Sequence, residues 1–348
     1  MSVERSVALR FGSEAVEAGT HVNLSAVRTD GEHLWIAGDE TATIERLTCD
    51  SRQRPTEYRD HVGFALADVV RLPGEADEEV DVEGLALNGP YLWAVGSHSR
   101  KRKRIKSHHS DAKAAKRLAT VTSEPSRRVL ARIALADHVP AGTTPEGFSS
   151  AAVCGPGLLD VLDDDEHLAP FLTIPGKDNG LDVEGIAVHG DPGEERVFLG
   201  LRGPVLRGWA VVLQVAPRVD DEDLRLSRID GRRRYVKHFL DLDGLGIRDL
   251  CPQGDDLLVL AGPSMDLDGP VRIYRWPGAA RIEASDVVHR EELHRELDLP
   301  YGEGDDHAEG LALLPSGELL VVYDSPASFR LDKAGTVLAD VVRLRSAR

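Results

Sequence analysis

The stretch Asp182-Val183-Glu184-Gly185-Ile186-Ala187-Val188 decides the reading of this chain, because it occurs more than once. It is met earlier as Asp81-Val82-Glu83-Gly84-Leu85-Ala86-Leu87 and later as His307-Ala308-Glu309-Gly310-Leu311-Ala312-Leu313. A phrase that returns at intervals of this size means one supersecondary unit used several times. Aligning on the apolar run adds two weaker copies, Leu24-Ser25-Ala26-Val27 and Ile247-Arg248-Asp249-Leu250. Each copy leads through a turn of hairpin chemistry, such as Asp30-Gly31, Asn88-Gly89 or Ser316-Gly317, into a second apolar run. Those second runs are Leu34 to Gly38, Leu92 to Gly96, Val197 to Leu201, Leu257 to Ala261 and Leu319 to Tyr323.

Third and fourth strands follow with weaker patterns. They are expected at Arg128 to Leu135 and Phe171 to Pro175, at Trp209 to Val215 and Tyr235 to Leu242, and at Val271 to Trp276 and Leu293 to Leu299. The last unit offers Ser328 to Leu331 and Val337 to Leu344, while Ser6 to Phe11 reads as a fourth strand available to pair with that unit and close a ring. Repeated four-stranded antiparallel units in a ring make an all-β fold, the β-propeller. The copies begin near residues 23, 81, 182, 246 and 307. The long second interval holds a basic run, an Ala/Lys stretch and a short helix at Gly157 to Leu168, and only two clear strands, which favours five blades and leaves six open. The expectation is one propeller domain over residues 1–348, with residues 100–125 a flexible basic insertion in the second blade.

Composition agrees with a turn-rich repeat. The chain has 33 Gly and 19 Pro among 348 residues and is 41% hydrophobic. Its three cysteines are widely spaced and lack a C-x-x-C pair, which argues against a disulfide framework or a cysteine-ligated zinc. Met1 to Arg10 has no apolar run of signal-peptide length and no segment has the length to span a bilayer, so a cytoplasmic protein without membrane contact is expected. The net charge of −17 speaks against general nucleic-acid binding. Residues 100–117 nevertheless carry nine basic residues against one Asp, a local +8, which leaves −25 on the remainder.

In a propeller the first strand lines the channel and the second runs back beside it. The start of strand one and the end of strand two therefore share a face. That face collects Asp81, Glu83, Asp182, Glu184, Arg248, Asp249, His307 and Glu309 from first strands, and Asp39, His98, Arg202 and Asp324 from second strands. Carboxylates crowded on one channel repel, so they take up protons, pair with arginines or recruit a cation. Glu83, Glu184 and Glu309, helped by Asp81 and Asp182, are candidate ligands for Ca²⁺ or Mg²⁺, which prefer oxygen donors. Arg202 and Arg248 are candidates for holding negative charge, and His98 or His307 for carrying a proton. No organic cofactor is expected. The architectural reading of the same residues is that each Glu bonds backbone amides of the next blade, and that the Gly after it permits close strand approach or a bulge. The sequence lacks a phosphate loop, an H-E-x-x-H and a G-x-S-x-G elbow. Asp163-Asp164-Asp165-Glu166 reads as a solvated helix face.

These repeats, with Gly200 to Trp209, Ile247 to Leu250 and Leu260 to Pro270, resemble a bacterial family catalogued as domain of unknown function 3616, over roughly residues 20–330. The resemblance implies no activity. The Glu-Gly-Leu-Ala phrase is similar, more distantly, to one in phytase-like and lactonase-like propellers, which implies channel carboxylates that bind calcium and hydrolyse esters. The functional expectation is a metal-assisted hydrolase of a small anionic substrate. The alternative is a non-catalytic ligand-binding or interaction propeller whose basic run docks an acidic protein partner.

Overall fold

A computed structural model describes residues 3–75, 78–229, 231–332 and 334–344. Among the described residues its main strand pairing makes five four-stranded antiparallel units, beside the small hairpins Pro217–Asp220 with Asp223–Leu226 and Arg100–Arg102 with Val121–Ser123. The first strands are Leu24–Thr29, Val82–Asn88, Asp182–His189, Gly246–Gln253 and His307–Leu313. Each pairs with the second strand of its unit: His33–Gly38, Tyr91–Gly96, Arg196–Gly203, Asp256–Gly262 and Leu319–Asp324. The first strands touch one another in chain order, and the last touches the first, so they enclose an axis. Five buried apolar clusters fill the spaces between successive units, for example Trp35, Leu85 and Ala94 between the first and second. Strand faces apolar on both sides are what a sheet sandwiched between two others requires, which is why the second strands read as unbroken apolar runs.

The N-terminal Arg5–Arg10 pairs with Thr336–Val342 and supplies the outer strand of the last unit. It also pairs in parallel with Glu57–Ala65 of the first unit, joining both into one sheet. The third and fourth strands expected in the third and fourth units are present as Trp209–Val215, Tyr235–Asp241, Val271–Trp276 and His294–Leu299. Two expected strands are not formed. Phe171 to Pro175 lies between the short helical turns Ala169–Phe171 and Gly176–Asp178. The second unit instead turns back at Asp137 and His138, both at positive φ, and runs its outer strand Val139–Ala141 directly against Leu130–Ala136. The hairpin closes within two residues of the third strand, whereas Phe171 to Pro175 would have to return across about thirty residues, so the local partner takes the edge. Ser328 to Leu331 holds the turn Ser328–Arg330 rather than a strand, because Arg330 is buried there between Asp306 and Asp340.

Residues 100–125 contain more regular structure than a flexible flap. Arg100–Arg102 pairs with Val121–Ser123, and between them the helix Asp111–Leu118 is capped by Ser110. Arg102 Nε bonds Asp178 at 2.7 Å and Arg100 Nε bonds the Leu172 carbonyl at 3.0 Å, which fixes the base of the insertion against the third unit. In the run Asp163-Asp164-Asp165-Glu166, Asp163, Asp164 and Glu166 are exposed, but they lie in turns after the helix Leu158–Val161. Asp165 is the exception: it is buried, accepts from Lys237 at 2.7 Å and caps the turn at Leu168. Among the described residues no helix is long and apolar enough to cross a membrane.

Candidate functional site

One local irregularity builds the site. In every first strand the pairing slips by one residue at the same place, and the skipped residues are Ser25, Glu83, Glu184, Arg248 and Glu309. A bulge leaves its extra residue unpaired and re-aims its side chain. Five equivalent bulges around one axis gather five side chains at one end of the channel. The glycine that follows is an approach point between strands: a Cβ on Gly84 would lie 2.9 Å from the Glu184 carbonyl oxygen, and one on Gly185 3.0 Å from the Leu250 amide. The sequence phrase thus encodes a bulge and the close contact beside it.

At this mouth the ligand oxygens of Glu83, Glu184 and Glu309 lie within 4.8 Å of one another, and so do those of Asp39, Asp81 and Glu83. Glu83 belongs to both groups. Arginines neutralise only part of this charge. Arg202 Nη1 donates to Glu184 at 2.8 Å. Arg248 Nη1 lies 3.4 Å from the other Glu184 oxygen and bonds Glu309. Arg127 Nη2 donates to Asp81 at 2.6 Å, while its Nη1 reaches the hydroxyls of Ser97 and Ser99 at 3.1 Å. Glu83 and Asp182 have no hydrogen bond or ion pair among the described residues, and Asp39 Oδ1 is buried without a partner.

The electrostatic result follows from burial without compensation. Burial, then the charge of Asp81, Glu184, Asp39 and Glu309, raises Glu83 well above the usual carboxylate range. Burial and the neighbouring Asp324 and Asp81 push Asp39 up to about 7. Burial and Glu184 push Asp182 up to about 7, although Arg202 pulls the other way. Burial pushes Glu309 up to about 8 against the pull of Arg248.

The structure therefore brings Glu83, Glu184, Glu309, Asp81, Asp182, Arg202 and Arg248 together. It treats the two histidines differently. His98 is buried with Nδ1 2.8 Å from the Gly96 carbonyl, and burial lowers it to about 4, so it is a neutral structural ring. His307 stands on the rim, 3.2 Å from Asp268 and 4.0 Å from Asp324, and shares a cleft with Arg248, Leu267 and Tyr301. Asp249 occupies the position that is glycine in the three clearest copies, and turns away from the mouth to Arg28. Two participants fell outside the sequence-based candidate set. The sequence puts Asp39 on this face, and the structure adds that its carboxylate stands within ligand distance of Asp81 and Glu83. Arg127 was absent altogether, although a residue just before a third strand lies on the same face as the end of a second strand.

The oxygen-only donor set fits a hard divalent cation, and the buried, partnerless Asp39 oxygen is where such an ion would find an unused ligand. The fit is poorer between Glu184 and Glu309, because the Arg248 guanidinium already bridges them.

Comparison with solved structures returns loose likenesses. Glutaminyl cyclase of Myxococcus xanthus is 11% identical with a TM-score of 0.44, covering 100% of this chain and 97% of that one. The PQQ-bound aldose sugar dehydrogenase of Streptomyces coelicolor is 11% identical at 0.38, covering 97% and 98%. Streptogramin B lyase is 7% identical at 0.39, covering 98% of each. Likenesses at this level say nothing about chemistry. No curated protein matches the sequence. Residues 23–340 match the family described as "Protein of unknown function (DUF3616)", and the chain belongs to that family.

Proposed function

We propose that the channel mouth binds a divalent cation, Ca²⁺ or Mg²⁺, and hydrolyses a small anionic ester beside it. The observation that supports this reading is Glu83, a bulge carboxylate within reach of four others and paired with none of the arginines. Asp39, Asp81 and Glu83 would hold the ion, with Asp81 keeping Arg127 on its other lone pairs. Glu184 and Glu309 would then keep Arg202 and Arg248 in place rather than act as principal ligands. A bound cation of this kind polarises an ester or phosphoryl oxygen and eases deprotonation of water.

The chain's own groups supply the rest. Arg202 and Arg248 form a rigid cationic pair that steadies negative charge developing on the substrate. Asp182, buried and held near pH 7, takes the proton-carrying role in place of His98, because a group poised at the working pH exchanges protons most effectively. The basic insertion leaves its unit after the end of the second strand, on the side of the mouth. Although Lys101 and Arg102 are paired with Glu79 and Asp178, its remaining cations would draw anions toward that side.

The experiment is calorimetric titration of Ca²⁺, Mg²⁺ and Mn²⁺ into chelator-treated protein, with Glu83→Gln beside wild type, followed by phosphate-ester and lactone turnover with and without the bound ion. Saturable binding that Glu83→Gln weakens at least tenfold, with ion-dependent turnover, is the expected result. Absence of binding for all three ions overturns the reading. It would shift attention to a docking face, for which the exposed Leu267, Tyr301 and Phe329 around the rim would be the material.

A further inference from the structure

A second constellation of ligand-type side chains lies at the other end of the strands. Asp30 and His33 flank the turn between the first and second strands of unit one. His138 sits in the turn that follows the third strand of unit two. Both turns are at the end opposite the bulges, so the group belongs to the face away from the channel mouth. Ligand atoms of the three residues lie within 4.8 Å of one another.

The geometry is specific. Asp30 Oδ2 is 3.2 Å from His33 Nδ1 and 2.9 Å from His138 Nδ1. The two imidazole centroids are 4.5 Å apart, tilted by 41°. Both rings thus turn the same nitrogen toward one carboxylate oxygen. An edge of a tetrahedron with metal–ligand bonds of about 2.0–2.1 Å is about 3.3 Å. The two spacings are close to such an edge, so small movements would admit an ion between the three atoms.

The supporting contacts are already built. Asp30 Oδ1 accepts the amides of His33 at 2.7 Å and Glu32 at 2.9 Å, which fixes the carboxylate with Oδ2 toward the rings. Trp35 Nε1 lies 3.4 Å from the same Oδ2. His33 is 8% exposed and held in its strand, while the His138 side chain is 44% exposed and leaves an open side for water. The nearby Arg46 is turned onto the His138 carbonyl and lies over the Phe64 ring at 5.6 Å, so its charge is engaged elsewhere. Contacts of this kind around ligands hold them in orientation and strengthen binding.

We infer that Asp30, His33 and His138 form a binding site for a zinc-class divalent ion, with water completing the coordination, that ties the first and second units together on this face. Two imidazoles and one carboxylate are the donor set of a borderline transition metal, in contrast to the oxygen-only mouth. The site is independent of the proposed hydrolase. Uptake by this set releases the protons that the Nδ1 atoms carry when both rings donate to Asp30, since a ligating imidazole nitrogen must be free of hydrogen.

The test uses Co²⁺ and Zn²⁺ on chelator-treated full-length protein. Co²⁺ reports its geometry by the intense visible bands of four-coordination, and Zn²⁺ competes for it. His138→Gly removes one ligand and keeps the turn, because His138 lies at positive φ, where glycine is unstrained. His138→Asn, also tolerant of that conformation, is the second variant. Expected are one equivalent of Co²⁺ with strong visible bands, displaced by Zn²⁺, unchanged in Glu83→Gln and weakened at least about 100-fold in both His138 variants. No uptake overturns the inference. So does the visible-band Co²⁺ signal if it survives loss of His138 or disappears in Glu83→Gln.

Discussion

The mouth of the channel and the layer just below it are made by the same five strands, yet they treat charge in opposite ways. At the mouth, Glu83, Asp39 and Asp182 are crowded and form no ion pair among the described residues, and the nearby cations do not offset their burial. One step further in, a single arginine meets a single aspartate, and both terminal nitrogens of the guanidinium are bonded, with only Nε left buried without a partner. Arg28 Nη1 and Nη2 bond the two oxygens of Asp249 at 2.8 and 2.7 Å. The same guanidinium reaches the carbonyls of Val27, Leu311, Ile186 and Leu250, which belong to four different first strands. Asp249 in turn accepts the amide of Leu311 at 2.8 Å. The inner layer is a fastening that holds the strands about the axis. The difference teaches that unsatisfied charge at the mouth is not the ordinary state of this channel. In the Arg28–Asp249 layer the buried charge has an opposite charge bonded to it through both oxygens.

The sharpest way to break that comparison is Arg28→Met. Removing one partner of a buried pair strands the other, so chemical denaturation should show a loss of about 3–5 kcal/mol. Adding Asp249→Asn should return part of it. A loss below about 1 kcal/mol would mean that the inner layer is no fastening.

The second way is pH. Asp39, Asp182 and Glu309 have folded values of about 7, 7 and 8, above the values near 4 of an unfolded chain. The folded state therefore binds more protons between those limits, and their contribution to stability is full below about pH 4 and falls as pH rises toward 8. Cation-free protein should lose melting temperature across that window, and a saturating divalent ion should flatten the slope. A cation-free curve that rises through the same window would remove the mouth's claim to be overcharged.

The smallest effect separates two glutamates at equivalent bulges of neighbouring units. Glu184→Gln weakens the holds on Arg202 and Arg248 and should cost about 1–3 kcal/mol. Glu83→Gln loses no pair and should change cation-free stability at neutral pH by no more than about 0.5 kcal/mol in the unfavourable direction. Equal losses in the two variants would show that Glu83 has an architectural role after all.

Much of this was legible in the chain. The repeated phrase located three first strands by its Glu-Gly pair and the other two by the apolar run alone, because every inner strand is apolar beside its bulge while the bulge residue itself varies, as at Ser25 and Arg248. The face shared by strand starts and ends also followed from antiparallel pairing alone, and it correctly gathered Glu184 with Arg202 and Glu309 with Arg248. The misreadings came where local alternatives compete. The outer strand of the second unit went to Val139–Ala141 because two residues at positive φ closed a hairpin sooner than expected.

What the order of residues determined by itself was therefore the unit, its repetition and the sign of the charge it carries to the channel. What only the tertiary structure decided was which charges meet. Arg28 and Asp249 are 221 residues apart and Arg127 and Asp81 are 46 apart. Asp30 and His138 are 108 apart. Periodicity places a side chain on a face, but the partner it finds there depends on how far each side chain reaches across the closed ring. The physical reason is that pairing energy falls steeply with distance and rises with burial, and both quantities exist only after the blades have closed.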